Sequence, residues 1–176
     1  MMTALIEVTG PAGAQLARAL IDGGSDSSFV KSSLADTLGL SVTAQAIFAC
    51  VGFKEREEEA GIHERVRLQL KSRHSSESCY LNFWKSDTLC APMRAPCSPN
   101  LFTELASFEL ADDFSGSSID ILIGADQMYD VVLPDNINNV KLSKRLCAVK
   151  TLFGYTLHGS ASDAVRLVPL HTYHLQ

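Results

Sequence analysis

One stretch constrains the fold more than any other. In IHERVRLQLKS, Val66, Leu68 and Leu70 alternate with Arg65, Arg67, Gln69 and Lys71. A period of two sends successive side chains to opposite faces, so this is a strand with one side in a core and the other in water. CYLNFWKS repeats the pattern, with Leu81 and Phe83 against Tyr80, Asn82 and Trp84. The polar RHSSES between them reads as a turn. Near the N-terminus, Thr3–Thr9 alternates as a strand, and Gly10, Pro11 and Gly13 supply turn chemistry. QLARALI follows; its period fits strand or helix, and it stops abruptly at Asp22-Gly23-Gly24. The N-terminal third therefore reads as a hairpin followed by a helix.

That helix is expected in FVKSSLADTLGL. Phe29, Val30, Leu34 and Leu38 fall at helical spacing, Ser27 or Ser28 can cap the start, and Gly39 can end it. Residues 42–53 read as a strand and KEREEEAG as a charged loop. Three prolines (Pro92, Pro96, Pro99) exclude regular structure from Cys90 to Asn100. Leu101–Leu110 reads as a short helix or loop and DDFSGSS as a turn. IDILIG is a buried type of strand, ADQMYDVVL opens as a short helix, and VKTLFGYTLHGS is β-like with a glycine kink. No internal repeat breaks the chain. The sum is a mainly β domain with one or two short helices.

Composition removes several function classes. The 176 residues, 46% hydrophobic and 20% charged, suit one globular domain. Fifteen basic against twenty acidic side chains leave a net charge of -5. That balance lacks the basic footprint of a general nucleic-acid binder, so no direct nucleic-acid partner is expected. The longest apolar run, Ala46–Val51, falls far short of the ~20 residues that span a bilayer. The start, MMTALIEVTG, has no basic n-region and no long apolar core, so neither secretion nor membrane insertion is expected. Cys50, Cys79, Cys90, Cys97 and Cys147 are odd in number and form no C-x-x-C pair. Free thiols in a reducing, cytoplasmic compartment are the expectation. His171 and His174 have no acidic or thiolate neighbour in sequence, so neither metal nor cofactor is expected.

Chemistry points to Asp22. It ends an apolar strand and opens a glycine turn that continues into Ser25. A carboxylate at the end of a buried segment is costly unless hydrogen bonds compensate, and glycine N–H groups can supply them. A rigid, partly desolvated carboxylate open on one side suits acid–base work. The bland alternative is an ordinary Asp-Gly-Gly loop.

Three separated segments carry a resemblance. They are LARALIDGGSDSSFVKSSLADTLGL, LASFELADDFSGSSIDILIGADQMYDVV and VKTLFGYTLHGS. The first resembles the D-[ST]-G-[AS] loop of retropepsin-like aspartic peptidases. In order and rough spacing, all three are similar to the aspartic-peptidase region of BEL/Pao long-terminal-repeat retrotransposon polyproteins, and they span about Leu16 to Ser160. The resemblance implies a retropepsin-like closed β-barrel with a flap over residues 1–160, with 161–176 as a C-terminal extension or final interface strand. It makes Asp22 catalytic and Gly23, Gly24 and Ser25 its loop. It assigns substrate contacts to Asp26, Val51, Gly52, Phe53 and Ile123, puts the flap tip near Lys54–Gly61, and makes Asp126 a structural or helix-start carboxylate.

The chemistry implied uses two carboxylates sharing a proton. No second D-[STG]-G motif occurs here, so each copy supplies one, which makes a homodimer acting on a peptide or polyprotein substrate. The chain departs from the pattern at Gly23, where the family carries Ser or Thr. In related enzymes that hydroxyl bonds across the dimer axis. Two functions therefore stay open: an aspartic endopeptidase, or a catalytically weak or inactive retropepsin-fold dimerisation or binding module derived from a retroelement.

Overall fold

A computed structural model describes residues 2–49, 60–89, 105–115, 118–133, 139–142 and 145–159. The expected contacts at Val51, Gly52 and Phe53, most of the expected flap tip, the proline-rich stretch and the C-terminal extension lie outside the described residues.

Six strands close into a barrel. β1 (Met2–Gly10) and β2 (Gly13–Ile21) form a hairpin in continuous register from Met2↔Ile21 to Gly10↔Gly13. Pairing with a neighbouring strand settles QLARALI as a strand. β3 (Phe29–Lys31) is short and leads directly into α1 (Ser32–Thr37). β4 (Val42–Phe48), β5 (Gly61–Lys71) and β6 (Ser78–Ser86) form an antiparallel meander. β7 (Ile121–Ile123) runs parallel to β2 and antiparallel to β3. β3 pairs in parallel with β6, and β5 returns to β1 at Glu7↔Lys71. The closed order is β1-β2-β7-β3-β6-β5, with β4 as an outer strand on β5.

The alternation read from sequence holds. Val66, Leu68 and Leu70 are fully buried, as is Phe83, with Leu81 beside them; they meet Ile6, Val8, Val30, Ile121 and Ile123 inside the barrel. Burying each such side chain contributes about 1.5–3 kcal/mol. After β7 come α2 (Met128–Val131) and a second sheet of β8 (Val140–Lys141), β9 (Leu146–Thr151) and β10 (Gly154–Gly159). The kink expected in VKTLFGYTLHGS is the β9–β10 turn. Gly154 adopts φ 117° there, and a Cβ would stand 2.6 Å from the Glu109 carbonyl.

The helix begins later than its spacing predicts. Phe29 and Val30 are claimed by pairing on two sides, with β6 and with β7, and this overrides local periodicity. Ser27 and Ser28 therefore lie outside the helix; Lys31 holds the N-cap position without a side-chain cap bond, and Gly39 ends the helix at φ 66°.

The segment read as a turn around Asp112 is an anchor. Leu5 N–H donates to the Ala111 carbonyl, tying 109–111 along β1. Asp112 is buried and accepts from Arg18 Nε at 3.0 Å; Arg18 Nη2 donates to Asp113 at 2.9 Å. Removing one partner of a buried pair leaves an uncompensated charge, which costs about 3–5 kcal/mol. Asp112→Ala is expected to lower unfolding free energy by about that amount in urea titrations. Asp113 is more exposed. The Ser115 N–H, against a burial penalty, and then the Ser115 hydroxyl and Arg18 hold its carboxyl below the usual carboxylate range. A depressed value means stabilisation that is present at neutral pH and lost as pH falls through it. Asp113→Asn should flatten that acid limb, read as a smaller difference in urea midpoint between neutral and acidic pH.

Candidate active site

β2 and β3 are consecutive in sequence but not neighbours in the sheet, because β7 lies between them. Residues 22–28 must therefore leave the end of β2, cross the end of β7 and re-enter as β3. Asp22 starts this crossing. Its N–H donates to the Ile123 carbonyl at 2.9 Å, extending the β2–β7 ladder by one bond. Its carboxylate is half-buried, and among the described residues it accepts one hydrogen bond, from Gly24 N–H to Oδ1 at 2.9 Å.

The glycines act through space, not through unusual backbone angles. Neither Gly23 nor Gly24 is among the residues with positive φ. A Cβ on Gly24 would sit 3.2 Å from Asp22 Oδ1, closer than side chains normally pack, so glycine lets this N–H reach the carboxylate. Gly23 is exposed, and a Cβ there would meet Met128 Sδ at 3.4 Å, an ordinary contact. Ser25 donates its hydroxyl to the Ser27 carbonyl at 2.8 Å, and its own carbonyl accepts from Ala125 N–H at 2.7 Å. Asp26 is exposed, on the same loop as Asp22. Ile123 is fully buried, so its side chain belongs to the core and presents no surface to a substrate here; it serves the loop through its carbonyl.

Ser28, Asp126 and Gly124 hold the loop down; of these, Asp126 was expected as a structural carboxylate, while Ser28 and Gly124 were not expected in this role. Ser28, fully buried, donates its hydroxyl to Asp126 Oδ1 at 2.7 Å and accepts from Gly124 N–H at 2.9 Å. Asp126 Oδ2 also accepts from Ser28 N–H at 3.3 Å. Asp126 is thus a structural carboxylate; α2 starts at Met128 with Gln127 at its N-cap. Gln127 uses its side-chain amide as a strand would, accepting from Asn82 N–H and donating to the Asn82 carbonyl. Gly124 lies under the loop, and a Cβ there would stand 2.5 Å from the Ser27 carbonyl and 2.7 Å from that of Ser25.

The β4–β5 hairpin extends beyond the closed barrel, its last described pair being Phe48↔Gly61. Ile47 and Ile62 are cross-strand partners, both about 70% exposed. Alternation along β5 puts Ile62 on the face that continues the barrel interior past Val66.

Other chemistries have less to work with. Among the described residues no group of three or more His, Cys, Asp or Glu could hold a metal. Burial, with the Asp130 carboxylate adding to it, pushes the Cys79 thiol up to about 11, so it stays protonated at neutral pH. No described helix is long and apolar enough to cross a membrane. No protein-family model matches the chain, and no curated protein matches it.

Gly124→Ala tests the crossing. With backbone oxygens as the obstruction, the loop or the strand must shift, and overpacking of this kind costs about 1–3 kcal/mol. The expected outcome is a lower melting temperature with displaced Ser25 and Ser28 amide resonances.

Proposed function

We propose that the chain is an aspartic endopeptidase that works as a homodimer, with one catalytic Asp22 from each protomer, in the setting of polyprotein processing. The observation that carries this reading is the state of Asp22: half-buried, its backbone tied to β7, its carboxylate restrained by a single N–H, on a loop pinned from below by Ser28 and Asp126. A carboxylate so held is ready to face a second copy of itself across a two-fold axis.

Two close carboxylates cannot both ionise cheaply, so the pair retains one proton and titrates as a unit. The ionised member takes a proton from water as its oxygen attacks the scissile carbonyl carbon. The protonated member gives its proton to the carbonyl oxygen, forming a neutral tetrahedral diol. Collapse then breaks the C–N bond and delivers a proton to the leaving amine. The substrate lies extended between the Asp22 loops and the β4–β5 hairpins, which act as flaps, and bonds to them through its main chain. Asp26, beside the catalytic loop, meets the substrate backbone. Ile47 and Ile62 give the hairpin an apolar surface for substrate side chains.

A second reading, a catalytically weak or inactive retropepsin-fold dimerisation or binding module, has one observation in its favour. Gly23 brings no hydroxyl to the position next to Asp22, so the loop lacks a donor that could cross the axis.

Cleavage of a peptide library by the purified chain, with an acidic-to-neutral optimum, is the expected outcome. Asp22→Asn should lower kcat/KM by at least roughly a thousandfold, since neither water activation nor proton donation survives it. Cleavage that persists in Asp22→Asn overturns the assignment. Intact dimers without turnover at any pH from acidic to neutral establish the module instead. Gly23→Ser separates the role of the missing hydroxyl. Its Cβ meets only flexible Met128 at ordinary distance, and one added hydrogen bond per protomer, about 1 kcal/mol each, should tighten the dimer roughly tenfold or more in sedimentation equilibrium. Unchanged or weaker association refutes that role.

A further inference from the structure

The outer face of the β4–β6 meander carries a group that the peptidase reading does not use. Alternation sends His63, Arg65 and Arg67 of β5 and Tyr80 and Trp84 of β6 away from the core. Arg65 stands directly opposite Trp84 in the register and lies over its ring, 5.5 Å from the centroid. Arg67 lies over Tyr80 at 5.0 Å. Phe48 of β4 stacks on His63 at 4.0 Å, 15° from parallel, and meets the Trp84 ring edge-on at 5.1 Å. Three rings, an imidazole among them, form a connected group with Arg65, and Tyr80 with Arg67 extends it along the strands.

The charges here differ from those elsewhere. Arg18, Lys31, Lys71 and Lys85 are each salt-bridged to a carboxylate. Among the described residues neither Arg65 nor Arg67 has a carboxylate partner; their partners are rings. A guanidinium attracted to a ring still has its N–H groups to offer an anion. The two arginines, two residues apart on one face, stand about 6.6 Å apart along the strand. On a chain of net charge -5, this face is locally positive.

We propose that this face binds single-stranded nucleic acid, with Arg65 and Arg67 pairing with successive phosphates and bases stacking on the exposed Tyr80 ring and on the partly buried Trp84 ring. Cationic donors interleaved with aromatic faces are what sequence-tolerant single-strand binding requires. An acidic peptide would satisfy the arginines but leave the rings without a role, which favours the nucleic acid. The net charge argues against a footprint spread over the whole surface and leaves a local stripe possible. The proposal is independent of Asp22.

Trp84 is the chain's one tryptophan, so its fluorescence reports this face alone. The full chain is titrated with oligouridylate and, separately, oligodeoxythymidylate of about 12 nucleotides, and with a glutamate-rich peptide of equal charge. Expected are quenching of Trp84 by at least one oligonucleotide and a slope of log K against log salt of roughly -1.4, about -0.7 for each phosphate neutralised. The ratio of the two oligonucleotide affinities tells RNA from DNA. Arg65→Gln with Arg67→Gln should weaken binding at least tenfold and bring the slope near zero, with far-UV circular dichroism and melting temperature retained because both side chains face solvent. Absence of quenching by both oligonucleotides overturns the proposal. So does unchanged binding in the folded double variant. Equal or tighter binding of the peptide replaces the nucleic acid with an acidic protein partner.

Discussion

The whole arrangement depends on one crossing. β7 is inserted between two strands that follow each other in the chain, so the loop joining them must pass over the strand end that separates them. Backbone lying over backbone brings carbonyls and N–H groups into a space with little room for water, and each needs a partner. Ser28 answers with one hydroxyl that donates to Asp126 and accepts from Gly124. Gly124 answers by having no side chain. Asp22 inherits its position from this contact: its N–H bonds to the residue just before Gly124. The candidate catalytic group is fixed by residues about a hundred positions away in sequence, and no local propensity could have produced it.

The same economy governs the buried charges. Arg18 sits on β2, whose end carries Asp22, and buries its guanidinium against Asp112 and Asp113. This holds the segment 109–115 to the outside of the β1–β2 hairpin, while Tyr155 on β10 pairs with the same segment through Glu109 and Ala111. The second sheet is thereby tied to the barrel by backbone bonds on one side and by Phe153, buried in the main core, on the other. An ion pair of this kind adds little net energy against a well-packed apolar alternative, but it accepts only one register of the segment it clamps.

Much of the barrel was legible because alternation is a property of each strand alone. β1 could be read as a strand and β5 and β6 with their two faces, and the glycines that end α1 and kink β9–β10 fell where positive φ was needed. What was hidden depends on partners far away. Phe29 and Val30 have helical spacing with Leu34 and Leu38, yet two neighbouring strands claim them. Ser28 is a good helix cap by type, but its hydroxyl is committed to Asp126. Asp112 looks like a turn residue until Arg18 is found beside it. Gln127 carries no signal in sequence; that it replaces a strand for Asn82 follows only from β3 beginning at Phe29, opposite Trp84, too late to pair with Asn82 itself. The glycine N–H expected to support the Asp22 carboxylate is that of Gly24, and the missing Cβ there makes room for it.

β5 shows how one strand can serve two surfaces without conflict. Its even-numbered positions run from the core at Leu70, Leu68 and Val66 out to Ile62, on the side where the proposed substrate lies. Its odd-numbered positions carry His63, Arg65 and Arg67 to the opposite face. Because the side-chain period is two, neither set can change its face unless the register slips, and a slip would expose three fully buried residues at once. The pairings with β6 and β1 prevent that. The two faces nonetheless share a backbone, and the Phe48–His63 and Phe48–Trp84 contacts bind the projecting hairpin to the barrel wall from outside. Whatever stacks on these rings acts on the stiffness of the same hairpin whose other side carries Ile47 and Ile62. Any coupling between the two must be reciprocal, since a substrate that favours one hairpin position changes the outer face by the same free energy.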